Sequence, residues 1–148
     1  MFKHVLVPTD GSEVSAKTVK RAVQIAKAMK ARVTALHAYP ELHSVERFDY
    51  IGPFNLMNKR DYDARAQEAA NSCLAAVTKA AKAAGIKADL VAMASDRPYE
   101  AIIRTAKKRK CDLIIMGSHG RSGVAGILLG SVTQKVLSHS TLPVLVLR

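Results

Sequence analysis

Short, nearly unbroken apolar runs alternate along this chain with longer stretches in which apolar residues recur every three or four positions. Runs of the first kind cover residues 3–9, 32–38, 89–94, 112–116 and 142–147. Continuous apolar runs of this length suit strands covered on both faces, as in a parallel sheet. Between them, Ser15 to Lys30 predicts a helix whose stripe is Val19, Ala22, Val23 and Ala26, with Lys17, Lys20, Arg21 and Lys27 elsewhere on its surface. A longer helix is predicted from about Arg60 to Ala84, with Tyr62, Ala66, Ala69, Cys73, Val77 and Ala81 inward and Gly85 as its stop. A third opens near Pro98 and buries Ile102, Ile103 and Ala106; a fourth opens near Ser131 and carries Val132, Val136 and Leu137. Strict alternation of strand and helix predicts an α/β fold, a parallel sheet wrapped by helices on both faces.

The long connection, roughly residues 40–59, is polar and irregular, with Phe48, Tyr50, Ile51, Phe54, Leu56 and Met57 as apolar anchors. A connection of that length reads as a lid, a binding segment or an insertion packed on a partner. With 148 residues, 49% of them hydrophobic, the chain suits a single domain over 1–148 whose core needs no disulfide or metal. No apolar run approaches the ~20 residues of a membrane helix. The opening Met1-Phe2-Lys3-His4-Val5-Leu6-Val7-Pro8 does not read as a signal peptide. A cytoplasmic protein without membrane attachment is expected, with Cys73 and Cys111 as reduced thiols.

The formal net charge is +11, and residues 97–148 carry nine Lys and Arg against Glu100 and Asp112. Positive charge therefore accumulates in the C-terminal third of the sequence, where it would attract an anionic ligand, a polyphosphate or a nucleic acid. A solvated basic surface is the plainer alternative. Lys107-Lys108-Arg109-Lys110 reads as a solvated helix end that complements the helix dipole.

In a doubly wound sheet, ligands sit beyond the carboxyl ends of the strands, where strand order reverses. If strands two and three lie on one side of strand one, and four and five on the other, that crevice lies between strands one and four. Pro8-Thr9-Asp10-Gly11-Ser12 follows strand one, and Gly117-Ser118-His119-Gly120-Arg121-Ser122-Gly123 follows strand four. Five of the eight glycines fall between Gly117 and Gly130, and glycine lets backbone N–H groups approach an anion closely. Gly130-Ser131 then opens the last helix, whose N–H groups and positive dipole end suit a phosphate. Ser118, Ser131 and Thr133 add hydroxyl donors and Arg121 a cation. The competing reading is a plain glycine-rich loop with Ser131 as a helix cap.

Other signatures are missing. No lysine completes a P-loop, no Gly-x-Gly-x-x-Gly follows strand one, and Gly-x-Ser-x-Gly does not occur. The five His have no metal-ligand spacing with Cys.

Gly117-x2-Gly120-x9-Gly130-Ser131 resembles the ATP-binding signature of the universal stress proteins, with both spacings intact. The resemblance extends to His4 through Ser12 as the family's opening strand and loop, Asp112 through Gly117 as its fourth strand, and Pro143 through Val146 as its closing strand. Asp96-Arg97 before Pro98 departs from the family's usual glycine there. The resemblance implies a five-stranded parallel sheet in order 3-2-1-4-5 that binds ATP, with Mg²⁺. Gly117, Gly120, Gly130 and Ser131 would hold phosphates and ribose, with Ser118, His119, Arg121, Val132 and Thr133 nearby. Pro8, Thr9 and Asp10 would line the nucleoside side, Asp10 near the ribose or a bound Mg²⁺, while Ala38 would offer backbone groups to the adenine edge and Met116 would pack on the nucleoside.

Alternatives stand beside some of these assignments. Asp10 can instead form an Asx turn with Ser12, and His119 shows no orienting partner that would suit catalysis. Asp112 is expected to make a structural backbone contact and His37 to be a packing residue. The expected function is an ATP-binding, nucleotide-dependent stress-response regulator. A slow ATPase or nucleotidyl-transfer enzyme comes second, since no P-loop lysine or water-orienting base is visible. A basic nucleic-acid-binding protein comes third, since Trp is absent and only 5% of residues are aromatic, too few for an interleaved stacking surface. A homodimer is expected through the apolar edge strand Leu142–Leu147.

Overall fold

The apolar runs become strands because both of their faces are covered. In a computed structural model, which describes residues 1–44, 58–119 and 129–148, the elements are β1 (His4–Pro8), α1 (Glu13–Ala28), β2 (Arg32–Tyr39), α2 (Lys59–Ala84), β3 (Ala88–Ala94), α3 (Pro98–Lys108), β4 (Leu113–Gly117), α4 (Ser131–His139) and β5 (Val144–Leu147). The strands form one sheet in the order β3-β2-β1-β4-β5, every neighbouring pair parallel. This is the expected doubly wound order. The expected 40–59 connection lies largely outside the described residues, as do Gly120 and Arg121.

Because successive side chains point to opposite faces of a strand, each strand feeds two cores. Val5, Val7, Val33, Ala35, Leu113 and Ile115 pack with Val19 and Val23 of α1 and Leu74 and Val77 of α2. Leu6, Leu36, Ile114 and Met116 pack with Ala101, Ile102 and Ala106 of α3 and Val136 of α4. The α1 stripe is buried as expected. In α2 the buried positions are Tyr62, Ala70, Leu74, Val77 and Ala81, so Ala69 is exposed, and Ala66 and Cys73 are only half-buried. With alanine on most sides of this helix, composition marks its inward face poorly, and the four-residue step from Ala66 to Ala70 decides it. In α3, Ala101 and Thr105 join Ile102 and Ala106, while Ile103 is half-buried. Leu137 of α4 is exposed and Thr133 takes an inward position instead.

Turn chemistry sets the helix ends. Ser12 caps α1 by accepting the Ser15 N–H at 3.1 Å, and Asn58 caps α2 by accepting from Asp61 at 2.9 Å. Gly85 closes α2 in the left-handed conformation, φ 70°. After α1 and α3 the same conformation falls on lysines, Lys30 at φ 55° and Lys110 at φ 54°, where a side chain is disfavoured by roughly 1–2 kcal/mol. Gly11, at φ 76°, is tighter still: a Cβ there would lie 2.5 Å from Cys73 Sγ.

At the N-terminal end of the strands, Asp112 ties β1 to β4, its carboxylate accepting the Lys3 N–H at 2.7 Å and the His4 N–H at 2.9 Å. Burial pushes this carboxyl up, but the backbone donors of His4 and Lys3 outweigh it and hold the group below the usual aspartate range. That is the structural contact expected of Asp112. The Arg32 guanidinium donates to His4 Nδ1 at 3.2 Å, so His4 carries its proton on Nε2 and donates to Thr34 Oγ1 at 2.8 Å. Burial, then the Arg32 charge, lower the His4 pKa and keep the ring neutral. Cys111 is buried and burial raises its thiol to about 11, which leaves it uncharged and unreactive. Among the described residues no helix is long and apolar enough to cross a membrane.

Candidate functional site

Strand order reverses between β1 and β4, and a cleft of about 280 Å³ opens there, beyond the carboxyl ends of the strands. From β1 and its loop it is lined by Pro8, Thr9 and Asp10; from β2 by Ala38; from β4 and the following turn by Met116, Gly117 and His119; and from α4 by Gly130, Ser131, Val132 and Thr133. Sequence positions more than a hundred residues apart therefore share one wall-to-wall space. Ser118 is not among the lining residues and instead faces a neighbouring cleft beside Lys17 and Arg21. Gly120 and Arg121 lie outside the described residues.

The cleft also holds residues that the sequence did not assign to a ligand: Ser15, Leu36, Pro98 and Ile102. Leu36 and Ile102 belong to the core beneath α3 and α4. An apolar residue at the rim of a core and one in its centre have the same one-dimensional signal. Only the gap between sheet and helix separates them.

The β1 wall is stiffened by its own hydrogen bonds. Asp10 Oδ1 accepts the Ser12 N–H at 2.9 Å and so forms an Asx turn, the alternative expected for this carboxylate. Thr9 Oγ1 accepts the Gly11 N–H at 3.2 Å and lies 2.9 Å from Ser15 Oγ. The Thr9 N–H donates to Leu36 O at 2.9 Å, and His37 Nδ1–H donates to Thr9 O at 2.9 Å. His37 is thus buried as a packing residue with its partner satisfied.

The opposite wall is the start of α4. Its first helical hydrogen bond is Gln134 N–H to Gly130 O at 3.0 Å, so the N–H groups of Ser131, Val132 and Thr133 precede any acceptor within the helix. Gly130 stands at the N-cap and supplies no side-chain acceptor. Ser131 is therefore the first helical residue, which replaces the alternative of Ser131 as the cap. Partial positive charge from these amides and the helix dipole gathers at the cleft.

Three residues expected to serve a ligand direct polar groups to other partners. The Gly130 N–H donates to Ser118 O at 2.7 Å. The Thr133 hydroxyl donates to Gly117 O at 2.9 Å, holding α4 against the end of β4. The Ser118 N–H donates to Leu147 O at 2.8 Å, and its hydroxyl sits 3.1 Å from His119 Nδ1, a partner for that imidazole that the sequence did not reveal. A Cβ on Gly130 would lie 3.3 Å from Ser118 O, so the glycine permits the close approach that this bond requires. Among the described lining residues there is one carboxylate, Asp10, and no Lys or Arg.

A cleft at the strand-order reversal, walled by the amino end of a helix that a Gly-Ser pair opens, matches a known family along its full length. The family model described as the universal stress protein family matches residues 1–148. The chain belongs to the universal stress protein family. Universal stress protein MJ0531 of Methanocaldococcus jannaschii is 33% identical over 148 residues, covering all of this chain and 83% of that protein. Among solved structures, MJ0577 of the same organism matches with a TM-score of 0.77 at 33% identity, covering 99% of this chain and 96% of that one. A universal stress protein solved in complex with cAMP matches with a TM-score of 0.67 at 30% identity, covering 99% and 97% of the two chains.

Proposed function

We propose that this universal stress protein binds ATP in the β1–β4 cleft as one nucleotide-binding unit over 1–148, and acts in the cytoplasm as a nucleotide-dependent regulator. The observation that carries the reading is the aim of α4: the leading amides of Ser131, Val132 and Thr133 open onto a cleft that no described Lys or Arg lines. Such a site favours a phosphate through main-chain N–H groups and the helix dipole. The cAMP complex of the relative at 30% identity supports a nucleotide ligand.

In this reading the phosphates lie against Gly117, His119, Gly130 and the first turn of α4; Gly120 and Arg121, the other residues expected there, lie outside the described residues. The nucleoside lies over the apolar floor of Leu36, Ile102 and Met116, its adenine edge toward the Ala38 backbone and its ribose toward Pro8, Thr9 and Asp10. Mg²⁺ commonly takes one or two carboxylates and completes its shell with phosphates and water, and the Asp10 carboxylate lining the cleft fits that role. The ion would neutralise phosphate charge there.

Binding regulates only if the nucleotide prefers one conformation over another. Self-association through the Leu142–Leu147 strand completes the proposal, because β5 is the sheet edge and Leu145 is exposed on it. The reading is of binding rather than turnover, so in a single-turnover assay with labelled ATP phosphate release should be no faster than in buffer.

The deciding experiment is calorimetric titration with ATP, ADP, AMP and cAMP, with and without Mg²⁺, on the protein and on Gly130→Asp and Gly130→Ala. ATP should bind, Gly130→Asp should lose it with an unchanged circular dichroism spectrum, and Gly130→Ala should retain it. Equal affinity for ATP in the Asp variant would overturn the site.

A further inference from the structure

No described Lys or Arg lines the cleft, so most of the charge behind the net +11 lies elsewhere. Nor does the charge stay in the C-terminal third where the linear sequence concentrates it. The parallel topology returns the chain to the same end of the sheet before every strand, and the approaches to β1, β2, β3 and β4 carry cations. Lys87 precedes β3, Lys30 and Arg32 open β2, Lys3 precedes β1, and Arg109 and Lys110 precede β4; all six are exposed. Register places them side by side, with Arg32 paired to His4 and Val33 to Ala88, while the Asp112 N–H bonds His4 O at 2.9 Å. Four adjacent strands span three gaps of ~4.8 Å each, so the row is about 14 Å long.

Two observations separate this row from an ordinary solvated surface. Its backbone is held at cost: Lys30 and Lys110 both sit at positive φ, in the conformation that Gly85 adopts at the matching turn after α2. Glycine would meet those turns without strain but would carry no charge. The carboxylates at these strand starts also leave the row basic. Among the described residues they are two, Asp89 and Asp112, against six cations, and Asp112 accepts the Lys3 and His4 N–H groups.

We propose that this N-terminal edge of the sheet is a docking surface for the phosphate backbone of duplex nucleic acid, bound without sequence preference. A row of flexible cations complements a linear polyanion. Among the described residues, Met1 is the large apolar side chain exposed beside it, too little to anchor the edge in a lipid surface. No described base-reading side chain is needed, because phosphate contacts position a protein without reading sequence. The cleft lies at the opposite end of the strands, so nucleotide and duplex would not compete for one site.

The test is fluorescence anisotropy of the full chain with a labelled duplex of about 24 base pairs, titrated with salt. About four phosphate contacts give a log–log slope near −3.6 and roughly a 100-fold loss of affinity between 50 and 200 mM salt. Lys3→Gln, Lys87→Gln and Lys110→Gln combined should reduce that slope by about 3 and weaken binding at least about tenfold. The charge-matched control, Lys17→Gln, Arg65→Gln and Lys79→Gln, alters exposed positions on α1 and α2 and should change binding less than about twofold. Lys110→Gly adds a second readout: thermal stability should rise while duplex affinity falls, whereas a purely structural lysine would leave affinity unchanged. Equal losses in both triple variants, failure of the protein to bind duplex, or tighter binding to phosphatidylserine vesicles than to duplex would each overturn the proposal.

Discussion

The two ends of the sheet solve opposite problems with the same backbone. At the carboxyl end, the turn after β1 is tied to β2 and the turn after β4 to β5 and Gly130, and the leading amides of α4 are still left without a helical acceptor. At the amino end the main chain is occupied: the Lys3 and His4 N–H groups bond Asp112, Arg32 N–H bonds Lys3 O, and Cys111 N–H bonds Ala106 O. What remains there is long charged side chains. Fixed amides in a cleft recognise an anion by shape and close contact, and salt affects them little. Exposed lysines on flexible stems recognise charge alone and are screened within about 10 Å at moderate ionic strength.

The contrast breaks most readily at Gly11. A side chain there meets Cys73 Sγ at 2.5 Å in a left-handed backbone, so Gly11→Val should destabilise the protein by roughly 3–5 kcal/mol, combining strain and overpacking. Urea unfolding measures this, and a loss under about 1 kcal/mol would show that the carboxyl end yields readily around Gly11.

Next in size is Gly130→Asp, which places a carboxylate where the α4 amides face the proposed phosphates. ATP affinity should fall at least about 100-fold, ~2.7 kcal/mol, by calorimetry. The amino end should not respond, so duplex binding by this variant should match that of the parent protein.

At the amino end, Asp112→Asn leaves one of two backbone donors poorly satisfied and should lose about 1–2 kcal/mol of stability with little change in nucleotide affinity. Its pH signature has a definite sign. The folded-state carboxyl lies below the ordinary value of 3.8, so its stabilisation is present above that value and disappears as pH falls through the folded-state pKa. His4 behaves in the same direction at higher pH. Its pKa is lowered from 6.5, so the contribution is complete above 6.5 and declines as acid protonates the unfolded chain first. Stability measured between pH 7 and 5 should therefore fall, and His4→Gln should flatten that slope.

The smallest effect is a gain. Lys30→Gly relieves a positive φ and should raise stability by about 0.5–1 kcal/mol, seen as a higher melting temperature.

Much of this was legible in the residues. The order of strands and helices follows from where apolar runs stop being continuous and start recurring at helical spacing, and most strand and helix limits agree with that reading to within two residues. Where it slipped, in α2, alanine-rich composition left Ala69 and Cys73 looking as apolar as Ala70 and Leu74. Periodicity locates a face only when the faces differ. The family signature marked both walls of the cleft, yet it could not show that the Gly130 N–H and the Thr133 hydroxyl already have partners in Ser118 and Gly117. Hydrogen-bond accounting requires knowing which groups meet.

The sequence by itself determined the alternation of elements, the two-sided burial of the strands, the glycine positions and the family. These depend on local propensity and pattern, which a single strand of residues carries. The tertiary structure alone decided that Leu36 and Ile102 floor the cleft, that Ser118 turns away from it, and that cations scattered from Lys3 to Lys110 form one row. Those facts are distances between residues far apart in the chain, created when parallel strands bring their starts to one edge and their ends to the other.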